Sequence, residues 1–356
     1  MQLGIIARAD ATGLGNQTKR LTYMLNPSRL LVIDSTSFGK NKQQNLHWYA
    51  DYKGYLVKGF PNNTEIRTFL KGLTHVLCAE TPYNLHLYTM AKLMGIKTFC
   101  QPNYEFLDSL REPDLPLPDK FLMPSHWHYQ DMVQKFPNRV QYLPPPVDAA
   151  EFAEARAINL ARTGKRRFLA IVGTLAAHDR NGTLSVLDAI KFSNSTADYE
   201  LVVRSQHELP PEYLREDPRI KYEIGNLANP ADLYRDFDAL ILPRRYGGLC
   251  LPMIEAMTAG LPVIMTDISP NNAVLPPQWL VKAAKTDQFM ARVPIDVYSA
   301  DLNELARRID HFATMPLETI PDVRPGLLTE KANALTLAKD YSFENLRPHY
   351  EAAFNG

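Results

Sequence analysis

Residues 240–267 read LILPRRYGGLCLPMIEAMTAGLPVIMTD, and the fold is decided there. An apolar run breaks at Pro243 and passes the Gly247-Gly248 pair. It resumes at helical spacing with Glu255, stops at Gly260-Leu261-Pro262 and enters a second apolar run. Strand, glycine turn, helix and strand in so short a span make a parallel βαβ unit. Sheets of this kind bind ligands outside the carboxyl ends of their strands. Glycines there let the backbone come close to a ligand, and the N–H groups opening the next helix can hold phosphate. Glu255 falls in the first turns of that helix, within reach of such a ligand.

The same alternation runs outward along the chain. Strand signals stand at residues 3–7, 30–34, 55–58, 75–79, 97–100, 120–123 and 140–143. A loop over residues 12–17 precedes a helix expected at 18–25, and another helix is expected at 84–94. Further on, strands are expected at 168–172, 200–204, 220–224 and 239–242, with helices ending at 190 and covering 229–237. Strands alternating with helices indicate an α/β, mostly parallel, doubly wound sheet. At 356 residues there is room for two such domains. The run Pro144-Pro145-Pro146 is a semi-rigid connector. It puts a first domain at 1–146 and a second at 147–335, leaving a terminal helical segment at 336–356.

The central stretch resembles the donor-sugar signature of retaining family-four glycosyltransferases of GT-B fold. Gly248, Leu251, Pro252, Glu255, Ala256, Met257, Gly260, Pro262 and Val263 stand in its register. Two positions depart: the family's first Glu is Gly247, and its second Gly is Cys250. Val147, Asp148 and Phe152 match the family's interdomain linker. Residues 341–345 resemble its terminal helix, which commonly crosses back to the first domain. The resemblance implies two Rossmann-like domains facing across a cleft, acceptor-side first and nucleotide-sugar second. It implies transfer of a sugar from a UDP-linked nucleotide sugar to an acceptor hydroxyl with retention, using neither metal nor cofactor.

The resemblance also assigns candidate residues. Gly247, Gly248, Leu249, Cys250 and Leu251 would lie against the donor, and Glu255 would hold the ribose, since a carboxylate accepts two hydroxyl hydrogen bonds. The family usually places a basic residue after the glycine of the second domain's first loop. Here Gly173 is followed by Thr174, so that residue is missing; the family's second basic residue, a Lys before the next glycine, finds its best candidate in Arg180, two residues before Gly182, with Arg204, Arg244 and Arg245 as further candidates. Arg180 and Glu255 are the expected catalytic residues. Gly13, Gly15 and Asn16 form a Gly-x-Gly turn after the first strand, expected to face the donor phosphates. On the acceptor side Glu80, Asn103, Tyr104 and Glu105 follow two strands, where polar and aromatic groups suit sugar or base recognition. The plainer readings are a solvated arginine, a carboxylate suited to a helix start and a tight βα turn.

Lys+Arg and Asp+Glu each number 39, so net charge is zero. That balance argues against a general polyanion-binding coat. The resemblance implies a saccharide or glycolipid precursor as the first acceptor. The small basic segments Lys40-Asn41-Lys42 and Lys165-Arg166-Arg167 keep DNA carrying a hydroxymethylated base as the second, which salt-sensitive binding would mark. A sugar-nucleotide epimerase and a non-catalytic sugar-nucleotide binder fit the same residues, the latter because of Gly247. No apolar run nears the ~20 residues of a membrane helix, and no signal-peptide pattern opens the chain. Cys78, Cys100 and Cys250 lack Cys-x-x-Cys spacing, which fits a reduced cytoplasm and no zinc. His126 and His128, two apart on an expected helix, point in different directions and make no metal pair.

Overall fold

The computed structural model describes residues 1–38, 45–110, 112, 114–173, 178–194, 196, 198–321 and 325–356. The chain forms two compact units. One comprises Met1–Pro146, Met290–Pro294 and Phe343–Gly356, and the other Val147–Phe289 and Ile295–Ser342.

The first unit runs β1 (Leu3–Arg8), α1 (Gly13–Leu25), β2 (Arg29–Asp34), β3 (Gly54–Lys58), α2 (Asn63–Leu70), β4 (His75–Ala79) and α3 (His86–Leu93). It continues with β5 (Lys97–Gln101), β6 (Lys120–Met123), α4 (Tyr129–Lys135) and β7 (Val140–Tyr142). The seven strands are ordered β3-β2-β1-β4-β5-β6-β7, and their pairings are parallel. Strand β1 is buried along its whole length, as a central parallel strand must be. Its successive residues face opposite layers: Ile6 joins Leu31, Phe69 and Phe121, while Ile5 joins Leu30, Leu77 and Phe99.

Helix α1 begins at Gly13, five residues before the sequence expectation, so Gly13 and Gly15 lie in its first turn. The Thr12 hydroxyl starts it by accepting the Gly15 N–H at 3.2 Å. A Cβ at position 15 would collide with the Asp10 carbonyl, so this glycine is required for the close approach of strand end and helix.

The second unit runs α5 (Ala153–Ala161), β8 (Arg166–Ile171), α6 (Thr183–Ala189), β9 (Tyr199–Ser205), β10 (Ile220–Ile224), β11 (Ala239–Ile241) and α7 (Leu251–Thr258). Then come β12 (Val263–Thr266), β13 (Leu280–Val281), β14 (Ala283–Met290), β15 (Pro294–Ala300), α8 (Leu302–Thr314) and α9 (Leu327–Ala338). Six strands form the order β10-β9-β8-β11-β12-β13, and β14 pairs with β15 in a sheet of its own. The strand order reverses between β8 and β11, which makes their carboxyl ends the switch point where such sheets take ligands. The helix expected at 229–237 shrinks to a 3-10 turn, Pro230–Tyr234. It is stopped by extended backbone at Arg235 and left-handed backbone at Asp236.

The last helix, α10 (Phe343–Asn355), belongs to the first unit. Tyr350 donates its hydroxyl to the Pro144 carbonyl at 2.9 Å and receives the Gln101 amide at 2.7 Å. The Phe354 ring meets Phe99 edge-on at 4.8 Å. Among the described residues no helix is long and apolar enough to cross a membrane.

Candidate active site

At the switch point of the second unit, two backbone segments touch. Gly182, at φ 69°, opens α6; a Cβ there would collide with the Pro243 carbonyl after β11. Gly247 has φ 105°, and a Cβ built on it would strike Arg180 Nη2 and lie 2.8 Å from Nε. The Arg180 guanidinium thus covers Gly247. Its Cζ also sits 5.4 Å from the centre of the Tyr246 ring, a cation–π distance. Gly173 joins the same neighbourhood through Asn181, whose amide would stand 2.8 Å from a Cβ at that glycine. Thr174 lies outside the described residues.

Arg244 is buried at 5% exposure. Its Nε donates to the Tyr246 carbonyl at 3.1 Å and its Nη1 to the Leu249 carbonyl at 2.7 Å. One guanidinium thereby takes the Tyr246 carbonyl just before the glycine pair and the Leu249 carbonyl within the loop. Among the described residues nothing accepts the N–H groups of Gly247, Gly248, Leu249, Cys250 or Leu251, and no carboxylate comes within ion-pair distance of Arg244. Helix α7 starts at Leu251, so its positive end adds to the same spot. Glu255, half-buried one turn along, receives the Tyr234 hydroxyl on Oε2 at 2.5 Å. Tyr234 is itself buried, so this carboxylate is held in place.

The other two arginines are directed elsewhere. Arg245 donates from Nε to the Tyr298 carbonyl at 2.9 Å, from Nη1 to the His178 carbonyl at 2.7 Å and from Nη2 to Ser299 Oγ at 3.2 Å. Arg204 pairs across strands with its register partner Glu223, Nη2 to Oε2 at 2.5 Å. A residue the sequence reading passed over is Asp179. Its carboxylate accepts the Thr183 and Leu184 N–H groups at 3.2 and 2.8 Å and so starts α6. Burial pushes this carboxyl up despite those donors, and burial together with Asp179 pushes the Tyr213 phenol up to about 12. The available signal was an Asp just ahead of a helix.

In the first unit the strand ends carry a polar cluster. Asp10 is wholly buried; its Oδ2 receives Arg8 Nε at 2.8 Å and Nη2 at 2.6 Å, and the hydroxyls of Ser35 and Thr12 also donate to it. Burial alone would raise this carboxyl, but the two hydroxyls and the Arg8 guanidinium outweigh it and hold it below its ordinary value. Glu80 and Tyr83 both have left-handed backbone, at φ 64° and 59°. Such strained positions cluster at ligand sites. Asn103 Nδ2 donates to Glu80 Oε1 at 3.0 Å, so these two candidates meet. Tyr104 stacks on His128 at 4.0 Å, and Glu105 is buried in the turn Tyr104–Phe106. Gly13 and Asn16 stand in the first turn of α1, where the Asn16 N–H bonds the Thr12 carbonyl at 2.9 Å.

The family model for Glycosyl transferases group 1 matches residues 166–294, the span holding Arg180, the glycine loop and Glu255. Over that span the chain matches the group 1 glycosyltransferases. The transferase has the GT-B fold, and its structural likenesses span the whole chain. A glycosyltransferase from Rickettsia africae superposes with a TM-score of 0.71 at 13% identity, covering 99% of this chain and 97% of that one. Anabaena HepE, solved in complex with UDP and glucose, gives 0.69 at 10% identity over 100% and 99%. The lipopolysaccharide outer core galactosyltransferase WaaB gives 0.66 at 12% over 99% of both. At these identities the likeness is one of fold. No curated protein matches by sequence.

Several other sequence candidates resolve within the transferase. His126 and His128 lie in the turn before α4, not on a helix; His126 stacks on Tyr142 at 4.1 Å and His128 Nδ1 meets Asp131 at 2.6 Å. Asp236 and Asp238 stand in Asp-x-Asp order, but cations of the chain occupy both. Asp238 receives Lys331 Nζ at 2.9 Å, and Asp236 pairs with Arg162 at 3.1 Å and with Arg167. Among the described residues no group of three or more His, Cys, Asp and Glu could hold a metal ion. The basic segment Lys165–Arg167 is tied down as well. Lys165 pairs with Asp198 at 2.6 Å, Arg166 bonds the Met315 carbonyl at 2.9 Å and Arg167 pairs with Glu200 at 3.0 Å. Lys40, Asn41 and Lys42 fall outside the described residues.

Proposed function

We propose that this glycosyltransferase takes a sugar from a UDP-linked donor and delivers it to a saccharide hydroxyl with retention, without a metal. The observation that carries the donor reading is the loop Gly247–Leu251. Its N–H groups are open, its Leu249 carbonyl and the Tyr246 carbonyl just before it are bonded to the buried Arg244, Arg180 lies over its first glycine, and Glu255 follows on α7. Such a cradle suits a diphosphate. Charge builds on the departing diphosphate as the glycosidic bond breaks, and fixed N–H groups and guanidiniums stabilise it there. In same-face attack the leaving phosphate oxygen takes the acceptor proton, so the positive field of Arg180, Arg244 and α7 serves where another enzyme would use a cation. Glu255, steadied by Tyr234, accepts the ribose hydroxyls. The UDP and glucose of the Anabaena structure support the choice of nucleotide.

The second unit takes the donor and the first unit the acceptor in this reading. Glu80, Asn103 and Tyr104 supply carboxylate, amide and ring for a saccharide, and the lipopolysaccharide galactosyltransferase supports that class. The pairing of Lys165, Arg166 and Arg167 within the second unit weighs against DNA. Three buried free cysteines suit the reducing cytoplasm.

Calorimetry with a panel of UDP-sugars, and a hydrolysis assay on each, test the proposal. One sugar should bind selectively and hydrolyse slowly. Glu255→Ala should weaken it about tenfold or more, the size of lost hydrogen bonds to a charged group, with little change in melting temperature. Unchanged affinity in Glu255→Ala, or no binding at all, would sink the donor assignment. Isomerisation of the donor without an acceptor would mark an epimerase, and binding without turnover a sugar-nucleotide binder.

A further inference from the structure

The geometry points to the β14–β15 hairpin as the device that positions Arg180, with Phe289 and Arg245 as positioning residues for contact with the outer phosphate of the donor. This rests on reading the Gly247 loop as the diphosphate site. The hairpin stands apart from the six-stranded sheet, and β14 is exposed along most of its length. An isolated two-stranded hairpin is marginal by itself. Several of its side chains meet the segment that carries Arg180.

Two connections join them. The first is a hydrogen-bonded frame through residue 245. The Arg245 N–H donates to the Arg180 carbonyl at 2.9 Å, and the Tyr298 N–H donates to the Arg245 carbonyl at 3.0 Å. The Arg245 side chain closes the frame by bonding the carbonyls of His178 and Tyr298 and the hydroxyl of Ser299. The second is a chain of rings. Phe289 of β14 stacks on His178 at 4.7 Å and 16°, and meets Tyr246 edge-on at 5.0 Å. Tyr246 in turn carries the Arg180 guanidinium over its face. Asp287 Oδ2 lies 3.4 Å from His178 Nδ1 and braces the same stack.

An arginine side chain loses rotamer entropy on contacting a ligand unless the protein has already ordered it. The frame orders the Arg180 backbone, and the rings order its guanidinium. The consequence is selective: loosening the hairpin should weaken recognition of the outer phosphate and leave the nucleoside and inner phosphate alone.

The test compares Kd for UMP and UDP, with the guanosine pair in parallel, in the whole protein and in Phe289→Ala, Phe289→Tyr, Arg180→Ala and the Arg180→Ala/Phe289→Ala double variant. The whole protein should prefer the diphosphate. Phe289→Ala should cut that preference about five- to tenfold with UMP affinity unchanged, the size of one charge-assisted contact. Phe289→Tyr, which keeps the ring, should restore it, and the double variant should be no worse than Arg180→Ala alone. A Phe289→Ala loss shared equally by UMP and UDP, or one that multiplies with Arg180→Ala, overturns the hairpin's role. An unchanged diphosphate preference in Arg180→Ala overturns the reading of the loop itself, and the proposal with it. Should Phe289→Ala lose its cooperative melting, Phe289→Leu keeps the apolar contact without the ring stack and is judged by the same criteria.

Discussion

Gly247 combines two constraints at one position. Its φ of 105° disfavours any side chain, and the volume a Cβ would fill holds the Arg180 guanidinium. Gly247→Ala should therefore destabilise the second unit by about 1–3 kcal/mol through backbone strain. It should also push Arg180 aside and lower the preference for UDP over UMP. A variant that melts like the parent and keeps its diphosphate preference would show the overlap to be relieved at no cost. The glycine was legible in the sequence as a departure from the family signature. Its reason was not, because Arg180 belongs to a different βα turn and meets Gly247 only once β8 and β11 lie side by side. The arginines give the same lesson. Four were candidates for phosphate; the fold turned Arg180 and Arg244 onto the loop, Arg245 toward β15 and Arg204 to Glu223.

At the scale of elements, the turn from β1 into α1 depends on Asp10. Its carboxyl is held below the ordinary value, since the Ser35 and Thr12 hydroxyls and Arg8 outweigh its burial. The charged form is then favoured more in the folded chain than in the unfolded one. That contribution is complete above the ordinary carboxylate range, near pH 4, and fades as pH falls through the lower folded value. Asp10→Asn should cost about 3–5 kcal/mol at neutral pH by leaving Arg8 buried without its partner. The gap in melting temperature between parent and variant should narrow as pH falls below about 4. A gap constant across that range would mean that the carboxylate charge contributes nothing. Strand positions and apolar helices were legible because period and turn residues are local. The five-residue error at the start of α1 came from reading Gly13 and Gly15 as a loop. The Thr12 cap and the close pass of Asp10 let those glycines sit inside the helix.

For the whole molecule, the first unit is assembled from separated stretches of chain. Leu346, Tyr350 and Phe354 of α10 are buried in it. Burial of each large apolar side chain is worth about 1.5–3 kcal/mol, so losing the helix removes a large share of a domain's ~5–15 kcal/mol. A fragment of residues 1–146 should consequently melt at lower temperature and lose protection of β5, and a peptide of residues 343–356 added in trans should restore both. The same cooperative melting with and without the peptide would show the helix to be dispensable.

Within the sequence itself lay the alternating strands and helices, the glycine turn after β11, the start of α7 and the place of Glu255 on it. Each is set by residues only a few positions apart, through side-chain period, backbone freedom and capping. Tertiary structure alone decided which arginines meet the loop, why position 247 carries no side chain, that β14 and β15 form a hairpin bound to Arg245, and where α10 packs. Those outcomes depend on partners distant in the chain, whose polar groups are matched only when particular strand ends come together. The polar strand β14 carries no apolar period to announce it; its place is given by Phe289, Tyr298 and Ser299 finding His178, Tyr246 and Arg245.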